Sequence, residues 1–118
     1  MTKPVEKTIE MKKSIATKWL KALRSGKIKQ AEGTLIDADG SMCCLGVLEH
    51  ICEGEVEQGR EMPSFKFLQR NKIKFINGNG RVDTDPNLGN DTASGLNDNG
   101  FTFKQIANRL EKRIKYIK

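Results

Sequence analysis

The sequence is poor in the residues that build metal centres and disulfide frameworks. It has three cysteines and one histidine among 118 residues, and it has no C-x-x-C pair. An odd number of cysteines, with Cys43 and Cys44 adjacent, does not fit a set of loop-closing disulfides. His50 follows Cys44 by six residues, so on a helix the two side chains point apart and a zinc site lacks ligands. We therefore expect reduced thiols, no metal and no cofactor.

Long apolar stretches are also missing. The run 43–48 is much too short to cross a bilayer, and the first ten residues contain nothing resembling a signal peptide. With 36% hydrophobic and 6% aromatic residues, the chain can build one modest aliphatic core. We expect a single domain over residues 1–118, frayed at 1–7, that stays in the cytoplasm and has no membrane partner.

The charges are unevenly distributed along the chain. Residues 1–30 carry nine Lys or Arg and two acidic residues. Residues 31–62 carry one basic and eight acidic residues, and residues 63–118 carry eleven basic and five acidic residues. Basic ends around an acidic middle favour either a basic face that binds an anionic partner or pairing between two copies of the chain. A solvated surface with local bias is the alternative.

Apolar spacing and turn signals predict an α+β domain. Residues 11, 15, 19 and 23 recur at helical spacing, and Gly26 follows as a natural helix stop. The pattern predicts an N-terminal helix over 8–25, a short hairpin around 37–40, a short central helix over 44–52, a second hairpin around 77–80 and a C-terminal helix. Thr102 and Gln105 form the capping box of that last helix, and its buried stripe runs to Ile114. Gly46 inside the central helix is tolerated best where another backbone approaches closely.

A candidate anion site lies at the end of the first helix. The segment 24–27 combines the cations Arg24 and Lys27 with the hydroxyl of Ser25 and exposed backbone donors. A helix C-terminus is electronegative, so side chains would have to hold the anion there. The alternative interpretation is an ordinary helix end whose cations complement the dipole.

Two other residues also have alternative interpretations. Trp19 lies on the apolar stripe of the first helix, where it is a core anchor or the wall of a pocket that stacks on a base. Cys43 precedes the central helix, so we expect it to be more exposed than Cys44 and Cys52. The N-terminus of that helix would favour the thiolate form of Cys43.

Three segments resemble a family of small phage-encoded proteins. They are residues 19–30 (WLKALRSGKIKQ), residues 43–48 (CCLGVL) and residues 96–100 (LNDNG) with the helix 102–110 that follows. The resemblance implies a nucleotide sponge, which binds and sequesters a cyclic nucleotide or cyclic ADP-ribose-type signal of bacterial defence, such as CBASS or Thoeris, without degrading it. The middle segment departs from these relatives, because phenylalanines stand where they have a tryptophan, so the ligand's identity is left open.

The resemblance also implies a set of ligand-binding residues. Cations would hold phosphate, an aromatic would face a base, and amides would read base edges. The implied set is Trp19, Arg24, Ser25, Lys27, Gln30, Cys43, Asn97 and Asp98. A homodimer would help to enclose the ligand. A basic nucleic-acid-binding or host-takeover module is the alternative function, supported by the basic segment 104–118, and an enzyme using Cys43 or His50 is a third.

Overall fold

The first described residues alternate as a strand does. The computed structural model describes residues 8–60, 63–76, 82–83 and 100–117. Thr8–Lys12 forms strand β1, in which Ile9 and Met11 are buried on one face, and helix α1, Lys13–Arg24, follows directly. The prediction of one helix over 8–25 is therefore wrong for residues 8–12. The four-residue step from Met11 to Ile15 fits a continuous helix, but it also fits a buried strand residue followed by the first turn of a helix.

The end of α1 and the whole of the next helix follow the sequence prediction. Ser25 caps α1 and Gly26 takes a left-handed φ of 72°. Helix α2, Cys44–Glu53, ends at Gly54 with a φ of 75°. The two helices are joined in the core, because the buried indole N–H of Trp19 donates to the carbonyl oxygen of Cys44 at 2.8 Å.

The predicted hairpin around residues 37–40 is present as a turn without strands. The Gly40 N–H donates to the Asp37 carbonyl at 2.9 Å, and the Asp37 N–H donates to the Ser41 carbonyl at 2.8 Å. Beyond the turn, Met42 forms two isolated β-bridges, one antiparallel with Ile36 and one parallel with Gln30. Met42 is thus shared between two neighbouring segments, and neither of them extends into a ladder with it.

The second half of the chain adds one short helix and two short strands. Helix α3, Phe65–Arg70, is capped by the Ser64 hydroxyl, which accepts from the Phe67 N–H at 3.2 Å. Strands β2, Lys74–Ile76, and β3, Val82–Asp83, pair antiparallel. This pairing is the one predicted for the second hairpin, whose turn at 77–80 lies outside the described residues.

The last helix begins where predicted and ends earlier. Helix α4, Phe103–Glu111, has a complete capping box between Thr102 and Gln105. The chain then forms strand β4, Ile114–Ile117, so the prediction that Ile114 continues the helical stripe is wrong. Isoleucine and tyrosine favour strands, and β4 gains a full parallel pairing with β1.

The four strands form one mixed sheet with the order β3-β2-β1-β4. Helices α2 and α4 both pack on α1, and their buried side chains form one core with residues on the inner face of the sheet. The predicted α+β class is confirmed, although a strand rather than a helix lies at each end of the described chain. Among the described residues, no helix is both long enough and apolar enough to span a membrane.

Candidate functional site

Two adjoining hollows surround the C-terminal end of α1. One, of ≈ 610 Å³, lies between α1 and β4. The other, of ≈ 450 Å³, lies between α1 and α2. Lys21, Ser25 and Lys27 line both hollows, so the two form one open surface, which we call the basic groove. Its further lining residues include Lys18, Arg24, His50, Glu111 and Tyr116.

Positive charge dominates the basic groove. Lys18, Lys21, Arg24 and Lys27 line it, and Glu111 is the one carboxylate that lines it within the described chain. Arg24 already neutralises that carboxylate, with a nitrogen-to-oxygen distance of 2.8 Å. No ion pair involves the three lysines within the residues described here. An anion in the groove would therefore meet three uncommitted ammonium groups.

Arg24 lies in the groove and also connects two helices. Its guanidinium donates to Asn108 Oδ1 at 2.9 Å and to Glu111 Oε2 at 2.8 Å, both on α4. The side chain is 36% exposed. Replacing Arg24 would therefore remove a bond between α1 and α4 as well as a cation, and the lysines are better probes of binding.

The Ser25 hydroxyl lies in the groove but is used by the backbone around it. Its O–H donates to the Ala22 carbonyl at 2.7 Å, and its oxygen accepts from the Lys27 N–H at 3.1 Å. The helix-end interpretation of Ser25 is thus correct for the hydroxyl. The Lys27 side chain remains exposed and available to an anion.

Trp19 and Cys43 lie in the core instead of the groove. Trp19 has no exposed surface and Cys43 is 5% exposed. The core interpretation of Trp19 is therefore correct, and the expectation that Cys43 is exposed is wrong, because it forms the N-cap of α2 against buried neighbours. Asn97 and Asp98 lie outside the described residues.

The aromatic ring that lines the groove is Tyr116, which the sequence analysis missed. Its side chain is 54% exposed, and the Lys13 ammonium lies 6.0 Å from its ring centre. The i, i+2 alternation of Ile114 and Tyr116 is the signal that predicts a strand there.

A model of one protein family matches residues 11–73, which is more than half of the chain; it is described as a domain of unknown function, DUF8296. The chain belongs to the DUF8296 family. No curated protein and no solved structure matches it. The DUF8296 match contains α1 and α2, and with them the four cations and His50 of the groove. Tyr116 and Glu111 lie beyond the matched residues, so this chain adds one wall of the groove outside them.

Gln30 lies within the DUF8296 match, but it joins two parts of the fold. Its side-chain Nε2 donates to the Phe101 carbonyl at 2.7 Å, and its Oε1 accepts from the Phe103 N–H at 3.1 Å. Both ends of the amide are therefore used to hold the segment that enters α4. The resemblance placed Gln30 in the ligand site, whereas the structure gives it this structural role.

We expect Gln30→Ala to lower the free energy of unfolding by about 2 kcal/mol, because two partly buried backbone groups lose their hydrogen bonds. Urea denaturation measures the loss, with Gln58→Ala in an exposed loop as the control. Unchanged stability combined with lost ligand binding would contradict the structural role and restore the binding role.

The thiols of the described chain are not poised for nucleophilic attack. Cys43 and Cys44 are buried, and Cys52 is half-buried. Burial, followed by the negative charge of Glu53, raises the pKa of the Cys52 thiol to about 11. This thiol therefore stays protonated at neutral pH. Within the described residues, no three potential ligands are grouped to hold a metal.

Glu49 of α2 is a buried carboxyl group that sequence analysis did not single out. It is 3% exposed, and its Oε2 has no hydrogen-bond partner within the described chain. Burial raises the pKa of Glu49, and the negative charges of Glu57 and Glu53 raise it further. The backbone N–H of Glu57 and the positive charge of Arg60 lower this pKa, but the net shift is upward. The folded protein therefore binds this proton more tightly than the unfolded chain does.

This raised pKa predicts a pH dependence of stability. The contribution of Glu49 to the free energy of unfolding is fully present when the pH is below the ordinary pKa of a glutamate. It is lost as the pH rises through the raised pKa of Glu49 in the folded protein. We expect Glu49→Gln to raise the free energy of unfolding by about 1 kcal/mol at about pH 8, and to have no such effect at about pH 4. Urea denaturation at both pH values tests this, with exposed Glu55→Gln as the control. A gain of equal size at both pH values would contradict it.

Proposed function

We propose that this protein binds a small nucleotide through its phosphates in the basic groove and sequesters it without chemical conversion. The observation that carries the proposal is the convergence of Lys18, Lys21 and Lys27 on one open surface. Phosphate is the common biological anion that is recognised by several cations together. Tyr116 supplies a neighbouring aromatic face on which a base can stack.

The resemblance to phage-encoded proteins supplies the class of nucleotide and the biological setting. We propose a cyclic nucleotide or cyclic ADP-ribose-type signal of bacterial defence, held in the cytoplasm of an infected cell. Sequestration requires tight binding, and a Kd of about 1 nM corresponds to about −12 kcal/mol. An open groove on one copy leaves much of a ligand in solvent. Closure by a second copy would increase the buried surface, so we also propose a homodimer in the bound state.

The experiment that tests this function is retention followed by release. The protein is incubated with cyclic dinucleotides and cyclic ADP-ribose isomers, separated from free ligand and then heat-denatured. Intact nucleotide in the supernatant is the expected result, and light scattering of the complex measures the number of copies. An altered nucleotide would show an enzyme instead. No retention of any compound in the panel would overturn the proposal.

A nucleic-acid-binding module is the second candidate, because the basic surface continues beyond the groove. Lys13, at the N-terminal end of α1, lies over the Tyr116 ring and extends the positive charge beyond the groove. The predicted basic C-terminal helix is divided between α4 and β4, so no single helix carries this charge. DNA binding that weakens steeply with salt, together with no nucleotide retention, would favour this function.

A further inference from the structure

A third hollow lies on the opposite side of the sheet from the basic groove. It measures ≈ 400 Å³ and is formed by α3, the segment after it and the strands β1, β2 and β4. Cross-strand register separates the two sites, because Tyr116 is the partner of buried Met11 whereas Ile117 is the partner of exposed Lys12. Ile117 and Tyr116 therefore point to opposite faces of the sheet, and each lines the hollow on its own face.

Four of the eight side chains that line this hollow are apolar, and we call it the sheet cavity. Phe65, Leu68, Ile73 and Ile117 line it, and its volume lies within the range of small-molecule sites. Phe65 is 48% exposed, so an aromatic ring is available at the entrance. The sheet cavity can thus take a ligand with an apolar body.

The polar lining of the sheet cavity carries more positive than negative charge. Lys72 and Lys74 line it together with Glu10 and Gln69. Glu10 has Lys74 opposite it on β2 and Lys115 opposite it on β4, so its carboxylate lies between two cations. The remaining positive charge favours a ligand that carries an anionic group.

Lys72 has a backbone conformation that normally selects glycine. Its φ is 56°, the single non-glycine left-handed φ among the described residues. It closes α3 in a Schellman motif, in which the Ile73 N–H donates to the Leu68 carbonyl at 2.9 Å and the Lys72 N–H donates to the Gln69 carbonyl at 3.1 Å. Glycine fits this position without steric cost, so lysine gives the fold no advantage here. The ammonium that it adds to the lining of the sheet cavity gives a reason for the lysine.

We propose that the sheet cavity binds a small amphiphilic anion, whose apolar chain packs against Phe65, Leu68 and Ile117 and whose carboxylate is held by Lys72 and Lys74. This site lies on the opposite face of the sheet from the basic groove. Decanoate is the probe, with decanol and decyltrimethylammonium as probes of the same chain length without the negative charge.

Titration calorimetry with the full chain tests the proposal. We expect saturable binding of one decanoate, with about tenfold weaker binding of decanol and no binding of decyltrimethylammonium. Equal affinity for decanol, or any saturable binding of decyltrimethylammonium, would overturn the anionic assignment. The absence of saturable decanoate binding would overturn the site itself.

Variants locate the bound anion. Lys72→Gly should weaken decanoate binding by about tenfold while the Tm stays the same or rises by up to about 4 °C, because the glycine relieves the left-handed backbone. Lys66→Ala removes an exposed cation from the neighbouring helix α3 without altering the cavity lining, so it should retain the affinity. Phe65→Ala should weaken binding by about fivefold. Wild-type affinity in Lys72→Gly, or an equal loss in Lys66→Ala, would overturn the assignment.

Discussion

Gly46→Ala is expected to lower the free energy of unfolding by about 3 kcal/mol or more, which is enough to unfold a marginally stable domain. A Cβ atom at position 46 would overlap the carbonyl oxygen of Leu35 and lie 2.9 Å from its carbonyl carbon. It would also lie 3.3 Å from the Cβ of Met42. These atoms are backbone or backbone-proximal, so no side-chain rotation can relieve the overlap. Helix α2 would have to separate from the 35–42 segment.

Thermal and urea denaturation measure this loss, and the helix itself supplies the control. His50→Ala replaces an exposed residue on the same helix, so we expect its stability to change by less than about 0.5 kcal/mol. Alanine is a better helix former than glycine, and helix propensity alone would make Gly46→Ala stabilising by about 1 kcal/mol. A stabilised Gly46→Ala variant would show that the backbone of residue 35 can move away from α2 without cost.

The prediction for Gly46 succeeded because a glycine inside a helix indicates that another backbone approaches closely, and the backbone of Leu35 does so here. The capping box of Thr102 and the helix stop at Gly26 were predicted from local signals. Each of these signals involves residues within four positions of one another. Short-range geometry therefore determines where α4 begins and how α1 ends.

The two strands at the ends of the described chain were missed for a different reason. β1 and β4 pair with each other, although about a hundred residues separate them along the chain. Each strand continues directly into or out of an amphipathic helix, and its apolar residues also fit the helical spacing of its neighbour. The pairing that makes both segments extended is a long-range contact, which periodicity within one segment does not contain.

The candidate site shows the same division between local and long-range information. The cations at the end of α1 were found because they are adjacent in sequence, and three of the predicted residues, Arg24, Ser25 and Lys27, lie together in the basic groove. Trp19 was ambiguous because a ring on an apolar stripe can face the core or line its edge. Tyr116 could not be placed beside α1 before β4 was known to pair with β1.

The double replacement Lys21→Ala with Lys27→Ala is expected to weaken nucleotide binding by about a hundredfold. Both side chains are exposed and line both hollows of the groove, so a phosphate held there would lose two charge-assisted hydrogen bonds. Neither lysine has an ion pair with another described residue, and alanine is favourable at the helical position 21. The free energy of unfolding should therefore change by less than about 0.5 kcal/mol. Titration with the cyclic nucleotide retained in the release experiment measures the effect.

The matched control is the double replacement Lys66→Ala with Lys104→Ala, which removes the same charge from exposed positions that do not line the groove. A long-range electrostatic field depends on total charge and would weaken binding similarly in both double variants. Direct contact depends on position, so we expect the control to bind within about twofold of the wild type at physiological salt, where the screening length is about 8 Å. Equal losses in the two variants would remove the groove from the binding site. A loss confined to Lys21 and Lys27 would place the phosphates between α1 and the two elements that flank it, because these two side chains are shared by both hollows.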